Sequence, residues 1–166
     1  KGKAPFFVAS SFSKNFSLYN ERIGALTFVG ESADEASRVF SHVKIAIRTN
    51  YSNPPRTGGA LVTTVLTNPE LKTLWEQEVA GMRARLQELR VSLVDALKAS
   101  GAKRDFGFML NQKGMFSYTG LAPAEVDQLT QKHGVYMVRS GRINVAGFTH
   151  KKLPLLVEAI TPVLGP

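Results

Sequence analysis

From Asn68 to Gly101 one pattern governs the chain: Trp75, Val79, Met82, Leu86, Leu89, Leu93 and Leu97 recur every three or four residues. That interval is the period of one face of an α-helix. Asn68 is a capping residue, Pro69 suits the first helical position, Glu70 puts an acid in the first turn, and Gly101 marks the stop. A helix over about 69–100, at about 1.5 Å per residue, is a rod of roughly 48 Å. That exceeds an ordinary domain helix, so the rod is expected to join two domains, residues 1–75 and 76–166. Its arginines, Arg83, Arg85 and Arg90, read as the solvated face.

On the N-terminal side, Phe6-Phe-Val-Ala9 and Ala25-Leu-Thr-Phe-Val29 are apolar runs that predict buried strands near 5–10 and 24–30. Ser32 caps a helix over 32–48, with Asp34 and Glu35 in its first turn and Val39, Phe40, Val43 and Ile47 as its apolar stripe. Pro54 and Pro55 end it and impose an extended loop. Residues 58–67 are apolar enough for a buried helix or strand, and a helix is expected because a new helix start follows them. On the C-terminal side, 106–110 and 114–118 read as strands of a hairpin turning at Asn111-Gln-Lys-Gly114. A helix over 123–132 stops at Gly134, short strands follow at 135–138 and 142–146, and a last helix lies near 151–163. The class is α/β.

Composition narrows the function. A chain of 166 residues, 43% hydrophobic and 20% charged, is globular, and it holds no apolar run long enough to span a membrane. With no cysteine, and with His42, His133 and His150 far apart, no metal site is expected. The net charge of +8 suits anionic ligands, but the basic residues are scattered rather than clustered, which disfavours nucleic acid. The absence of cysteine and of a secretory signal before the first strand fits a cytoplasmic protein.

Between the first two strands lies Ser11-Phe-Ser-Lys14-Asn-Phe-Ser-Leu-Tyr-Asn-Glu-Arg22-Ile-Gly24. A lysine at a strand end can hold phosphate as a point charge or, when neutral, attack a carbonyl to form a Schiff base. It can also be no more than a solvated side chain. Ser11 and Ser13 add hydroxyls, and Arg22 adds a planar fork suited to phosphate oxygens. Together they describe a site for a phosphorylated carbonyl compound; neither phosphate-loop nor dinucleotide-loop spacing is present.

This segment closely resembles the cofactor-lysine signature of class I aminotransferases of the aspartate and aromatic amino acid subgroup. Arg48-Thr-Asn-Tyr-Ser-Asn-Pro-Pro55, Trp75-Glu-Gln-Glu-Val79, Arg104-Asp-Phe106, Gly114-Met-Phe-Ser-Tyr-Thr-Gly120 and Ser140-Gly-Arg142-Ile-Asn-Val-Ala-Gly147 resemble the same subgroup in the same order. The resemblance implies a fold-type I transferase dependent on pyridoxal 5'-phosphate (PLP), represented by its C-terminal portion: the end of the large cofactor domain plus the small α/β domain. It implies that Lys14 holds PLP and shuttles the substrate proton, that Ser11 and Arg22 bind the cofactor phosphate, and that Arg142 grips the α-carboxylate. Arg48 would reach the active site of the partner subunit in a homodimer and pair with a second carboxylate. The substrates implied are an aromatic or dicarboxylic L-amino acid and a 2-oxo acid. Further cofactor contacts are expected upstream of Lys14, in an N-terminal half of the same protein, so the 166-residue piece alone is expected to be inactive. Two other readings stand beside this one: a non-catalytic binding or assembly module, and another PLP reaction on the same fold.

Overall fold

Strands β1 (Phe6–Ser11) and β2 (Gly24–Val29) pair antiparallel, with Phe6 opposite Val29 and Ser11 opposite Gly24. They belong to a computed structural model that describes residues 4–164; residues 1–3 and 165–166, the outer ends of the two expected domains, lie outside it. The chain divides into two compact units, Lys1–Gln77 and Glu78–Pro166.

The first unit holds β1, β2, helix α1 (Ala33–Asn50), helix α2 (Arg56–Thr67) and the start of α3 (Pro69–Ala99). Ser32 caps α1, its Oγ accepting the Glu35 N–H at 3.1 Å. Asn68 caps α3, its side-chain oxygen accepting from the N–H groups of Glu70 and Leu71, both at 3.0 Å. The predicted strands are present, but they are not buried: every residue of β1 is exposed, as is Leu26 of β2. The apolar stripe of α1 is likewise uncovered, with no buried residue in the helix and Phe40 58% exposed. The physical reason is that a two-stranded sheet and its helices supply no second layer over these faces.

In the second unit, Leu89, Leu93 and Leu97 of α3 pack with Phe106, Met109, Leu121, Val145, helix α4 (Pro123–His133) and helix α5 (Leu153–Val163) in one core. Gly134, at φ 64°, ends α4 in the left-handed conformation open to glycine. Arg90 departs from the solvated face assigned to it: it is 4% exposed.

The strand expectations need correction here. Residues Gly107–Asn111 form a 3-10 helix, because the Asp105 carboxylate accepts the Gly107 N–H at 2.8 Å and starts a turn. No hairpin joins them to the next strand. Instead β3 (Phe116–Tyr118) pairs antiparallel with β4 (Arg142–Asn144), Ser117 opposite Ile143. The far edge of β3 is taken by a side chain: the Gln112 amide donates to the Tyr118 carbonyl at 2.9 Å and accepts the Tyr118 N–H at 2.8 Å. Residues 135–138 are loop rather than strand, and β4 passes after Asn144 into a 3-10 turn over Val145–Gly147.

Arg104 and Glu125 join the loop before α4 to the rest of this unit. Arg104 donates to both carboxylate oxygens of Glu125, at 3.0 and 2.7 Å, and to the Gly120 carbonyl at 2.9 Å. Glu125 also accepts the Ala122 N–H at 2.6 Å. Burial by itself would raise the Glu125 pKa, but these hydrogen bonds and the Arg104 charge outweigh it and hold the carboxyl below its ordinary value of 4.5. As pH falls the unfolded chain therefore takes up this proton first. The stability contributed by the pair is whole above about 4.5 and is lost as pH falls through the lower folded-state value. Thermal unfolding followed down to about pH 3 should show this acid loss, and Glu125→Gln should remove that share of the slope.

Candidate active site

The connection between β1 and β2 places Lys14 and Arg22. Its base is closed by the Phe12 N–H donating to the Ile23 carbonyl at 3.1 Å, and its interior by turns such as Ser17 N–H to the Lys14 carbonyl at 3.2 Å. Ser11 and Ser13 are joined by a hydroxyl–hydroxyl bond of 3.2 Å, and Ser13 is buried. Ser17 and Arg22 adopt φ of 55° and 50°, a region costly to residues with a side chain. Such strain is characteristic of functional loops.

Both cations of this loop converge on Tyr19. The Lys14 ammonium lies 4.2 Å from the centre of its ring, and Arg22 donates to its carbonyl at 2.9 Å. Neither cation is paired with a carboxylate among the described residues. Ser11 closes β1, and Lys14 and Arg22 lie in the connection that follows it.

Aromatic packing anchors that loop. Phe12 meets Phe16 edge-on at 5.5 Å, Phe16 stacks on Trp75 at 4.7 Å, and the Trp75 indole N–H donates to the Asn15 carbonyl at 2.7 Å. Helix α2 supports the other end, where Gly58 lets the backbone come close: a Cβ there would sit 3.0 Å from the Glu21 Cβ and 3.2 Å from the Ile23 Cβ.

Arg48 lies in the last turn of α1, away from carboxylates, and donates to the Ser52 hydroxyl at 3.4 Å. Arg142 belongs to the second unit and opens β4. The turn before it is fixed by Thr119, whose N–H and hydroxyl both donate to the Gly141 carbonyl, at 2.9 and 2.8 Å. Gly141 is required there: φ is 83°, and a Cβ would meet the Leu121 carbonyl oxygen at 2.8 Å. The Arg142 guanidinium lies over the Phe116 ring at 5.0 Å. Both residues line a cavity of about 640 Å³ with largely apolar walls, among them Tyr136, Val138 and Leu156. One guanidinium in an apolar recess can hold a carboxylate while the walls take an apolar side chain.

Several contributors were not assigned a role from sequence. Tyr19 and Phe116 lie inside the quoted motifs without a role of their own, and Trp75 belongs to the helix stripe and to the Trp75–Val79 motif with nothing local to point to Asn15. Arg139 carries no site role either: it makes a forked pair with Asp127, at 2.9 to 3.3 Å, on the surface.

A lysine and an arginine lie on a strand-connecting loop and a second arginine opens a strand of the small α/β unit, the arrangement expected of the C-terminal portion of a fold-type I transferase, the class of the solved structures this chain matches. The chain belongs to the family described as aminotransferase class I and II, whose model matches residues 1–160. It is 54% identical over 159 residues to the aspartate aminotransferase of Pseudomonas aeruginosa, covering 96% of this chain and 40% of that protein. It is 44% identical over 160 residues to the aromatic-amino-acid aminotransferase of Escherichia coli, again covering 96% and 40%. Among solved structures it is similar to an aromatic-amino-acid aminotransferase from Burkholderia pseudomallei covalently bound to pyridoxal phosphate, with TM-score 0.89 and 53% identity over 96% of this chain and 40% of the other. A psychrophilic aromatic amino acid aminotransferase from Psychrobacter sp. B6, cocrystallised with aspartic acid, gives TM-score 0.90 at 39% identity with the same coverage. The chain spans about 40% of the length of the curated relatives it matches.

Proposed function

We propose that the longer polypeptide containing this chain is an aminotransferase that moves an amino group between an aromatic or dicarboxylic L-amino acid and a 2-oxo acid, with PLP as cofactor. The observation that carries the reading is the convergence of Lys14 and Arg22, both free of carboxylates among the described residues, on Tyr19 in one strained loop. The donor set fits the cofactor: an amine for its aldehyde, a guanidinium and the Ser11 hydroxyl for its phosphate. When bound, PLP supplies an electron sink for negative charge at the substrate α-carbon.

The side chains of this chain do the rest. Lys14 would hold the cofactor through its aldehyde and, as the free amine, would take the proton from the α-carbon of the amino donor in one half-reaction and deliver a proton to the α-carbon of the product amino acid in the other. Arg22 and Ser11 would hold the phosphate and take no part at the reacting carbon. Arg142 fixes the α-carboxylate through two parallel N–H donors, which sets the direction of the α-C–H bond. Arg48 crosses to the second active site of a homodimer, where it meets the distal carboxylate of aspartate or glutamate. Residues 1–75 are then the end of the cofactor domain and 76–166 the small domain, in a cytoplasmic enzyme.

The uncovered faces of β1, β2 and α1 support the expectation that an N-terminal part of the same protein completes the cofactor domain. They also support the second reading, in which the 166-residue chain by itself is catalytically silent.

Steady-state assays of the longer polypeptide with aspartate and with phenylalanine as amino donors test the proposal. Arg48→Leu should lower kcat/KM for the dicarboxylate by about 10- to 100-fold and leave the aromatic within about threefold. Equal losses for both would contradict the role given to Arg48, and no amino transfer from either donor would overturn the function.

A further inference from the structure

Arg90 is the one charged side chain among the described residues that the fold removes from water. It sits on α3 without a carboxylate: no Asp or Glu oxygen lies within 4.0 Å of its guanidinium among the described residues. Its partners are neutral. Nε donates to the Ser117 hydroxyl at 3.0 Å and Nη2 to the Gly114 carbonyl at 2.6 Å. A buried guanidinium without a carboxylate is costly to desolvate, and here only its hydrogen bonds to two neutral groups offset that cost. Burial also pulls its pKa below the ordinary guanidinium value. The two bonds that offset this cost also fix where Ser117 and Gly114 sit.

Gly114 and Ser117 bracket Met115 and Phe116. The Met115 carbonyl accepts the Val145 N–H at 2.8 Å, Ser117 is paired with Ile143, and Tyr118 is paired with Arg142. The two side chains Ser117 and Phe116 point to opposite faces of β3 because strand neighbours alternate. Ser117 is buried toward Arg90, and Phe116 lies under the Arg142 guanidinium. Arg90 thus bonds the residues on either side of Met115 and Phe116 from one face of the strand, while Arg142 lies over the Phe116 ring on the other.

We propose that Arg90 is a positioning residue for carboxylate capture: by holding the Gly114 carbonyl and the Ser117 hydroxyl it sets the position of Phe116 and, through it and the β3–β4 pairing, the aim of Arg142. The inference rests on the reading of Arg142 as the carboxylate grip. Met in place of Arg90 fills similar space without the two hydrogen bonds, so the loss of stability is read from the thermal midpoint and the loss of aim from KM.

The test is made on the longer polypeptide. Arg90→Met should keep its circular dichroism, with a thermal midpoint lowered by the two polar groups left unpaired, while raising KM for the amino acid about tenfold, with kcat within about twofold. The affinity for 3-phenylpropionate, a carboxylate that cannot react, should fall by a similar factor in calorimetry. Arg90→Lys, which keeps one donor toward Gly114, should recover part of both. Should Arg90→Met not fold, Ser117→Ala decides: a raised KM in the folded variant supports the proposal, and an unchanged KM overturns it. Arg142→Leu is the control. If it loses 3-phenylpropionate while a folded Arg90→Met does not, the proposal alone is overturned. If Arg142→Leu keeps that affinity, the reading of Arg142 falls and the proposal falls with it.

Discussion

Lys14→Ala in the longer polypeptide should lower kcat by at least about 10²- to 10⁴-fold, the range for loss of a positioned proton-transfer group. Borohydride should then no longer fix PLP covalently to the protein. Two functions are lost in one substitution, the attachment to the cofactor aldehyde and the movement of the α-proton. The change should spare the fold, because Lys14 is exposed and its ammonium rests over the face of Tyr19. Absorbance before and after borohydride, read beside kcat, checks this. Retained activity together with retained borohydride fixation would show that the amine belongs to another lysine.

Arg142→Leu should be nearly as severe and should differ in kind. Each hydrogen bond from a guanidinium to a carboxylate contributes about 1.5–3 kcal/mol, so losing a forked pair should lower kcat/KM by about 10²- to 10⁴-fold. The loss should appear for aromatic and dicarboxylic donors alike, since every amino acid offers an α-carboxylate. That separates it from Arg48→Leu, whose effect is confined to the dicarboxylates. Much of the loss should sit in KM, with a further fall in kcat where the α-C–H bond is no longer aimed. Steady-state kinetics with both donors measures it.

The parts of this chain legible in its sequence are those written in local signals. The long helix, its Asn68 cap, the Ser32 cap and the Gly134 stop are set by side chains within a few residues of the backbone they serve. Lys14 and Arg22 stood out by residue type on the segment between two strands, whereas Arg48 and Arg142 were singled out only by the resemblance of their motifs to the aminotransferase subgroup. Contacts between distant segments were not legible in this way. Arg90 shares a helix with exposed arginines, and only the return of Ser117 to α3, 27 residues on, buries it. Trp75 reaches Asn15 across 60 residues. The Phe106–Leu110 run has strand composition, but Asp105 captures the Gly107 amide and turns the chain into a 3-10 helix. Burial of β1 and β2 was expected from their apolar content, yet burial needs a covering layer, and this stretch of chain does not furnish one.

Gln112 gives the two small sheets different fates. In the second unit its amide occupies the outer hydrogen-bonding positions of Tyr118, so β3 offers little to an incoming strand. The β1–β2 ladder has no such stopper: it is two strands wide, with Phe6, Phe7, Val8 and Leu26 facing solvent. Unpaired apolar edges of this kind template neighbouring copies into intermolecular sheet. Aggregation of the separated chain is therefore a hazard seated in its first thirty or so residues, and a substitution aimed at solubility belongs on that ladder rather than on the sealed one.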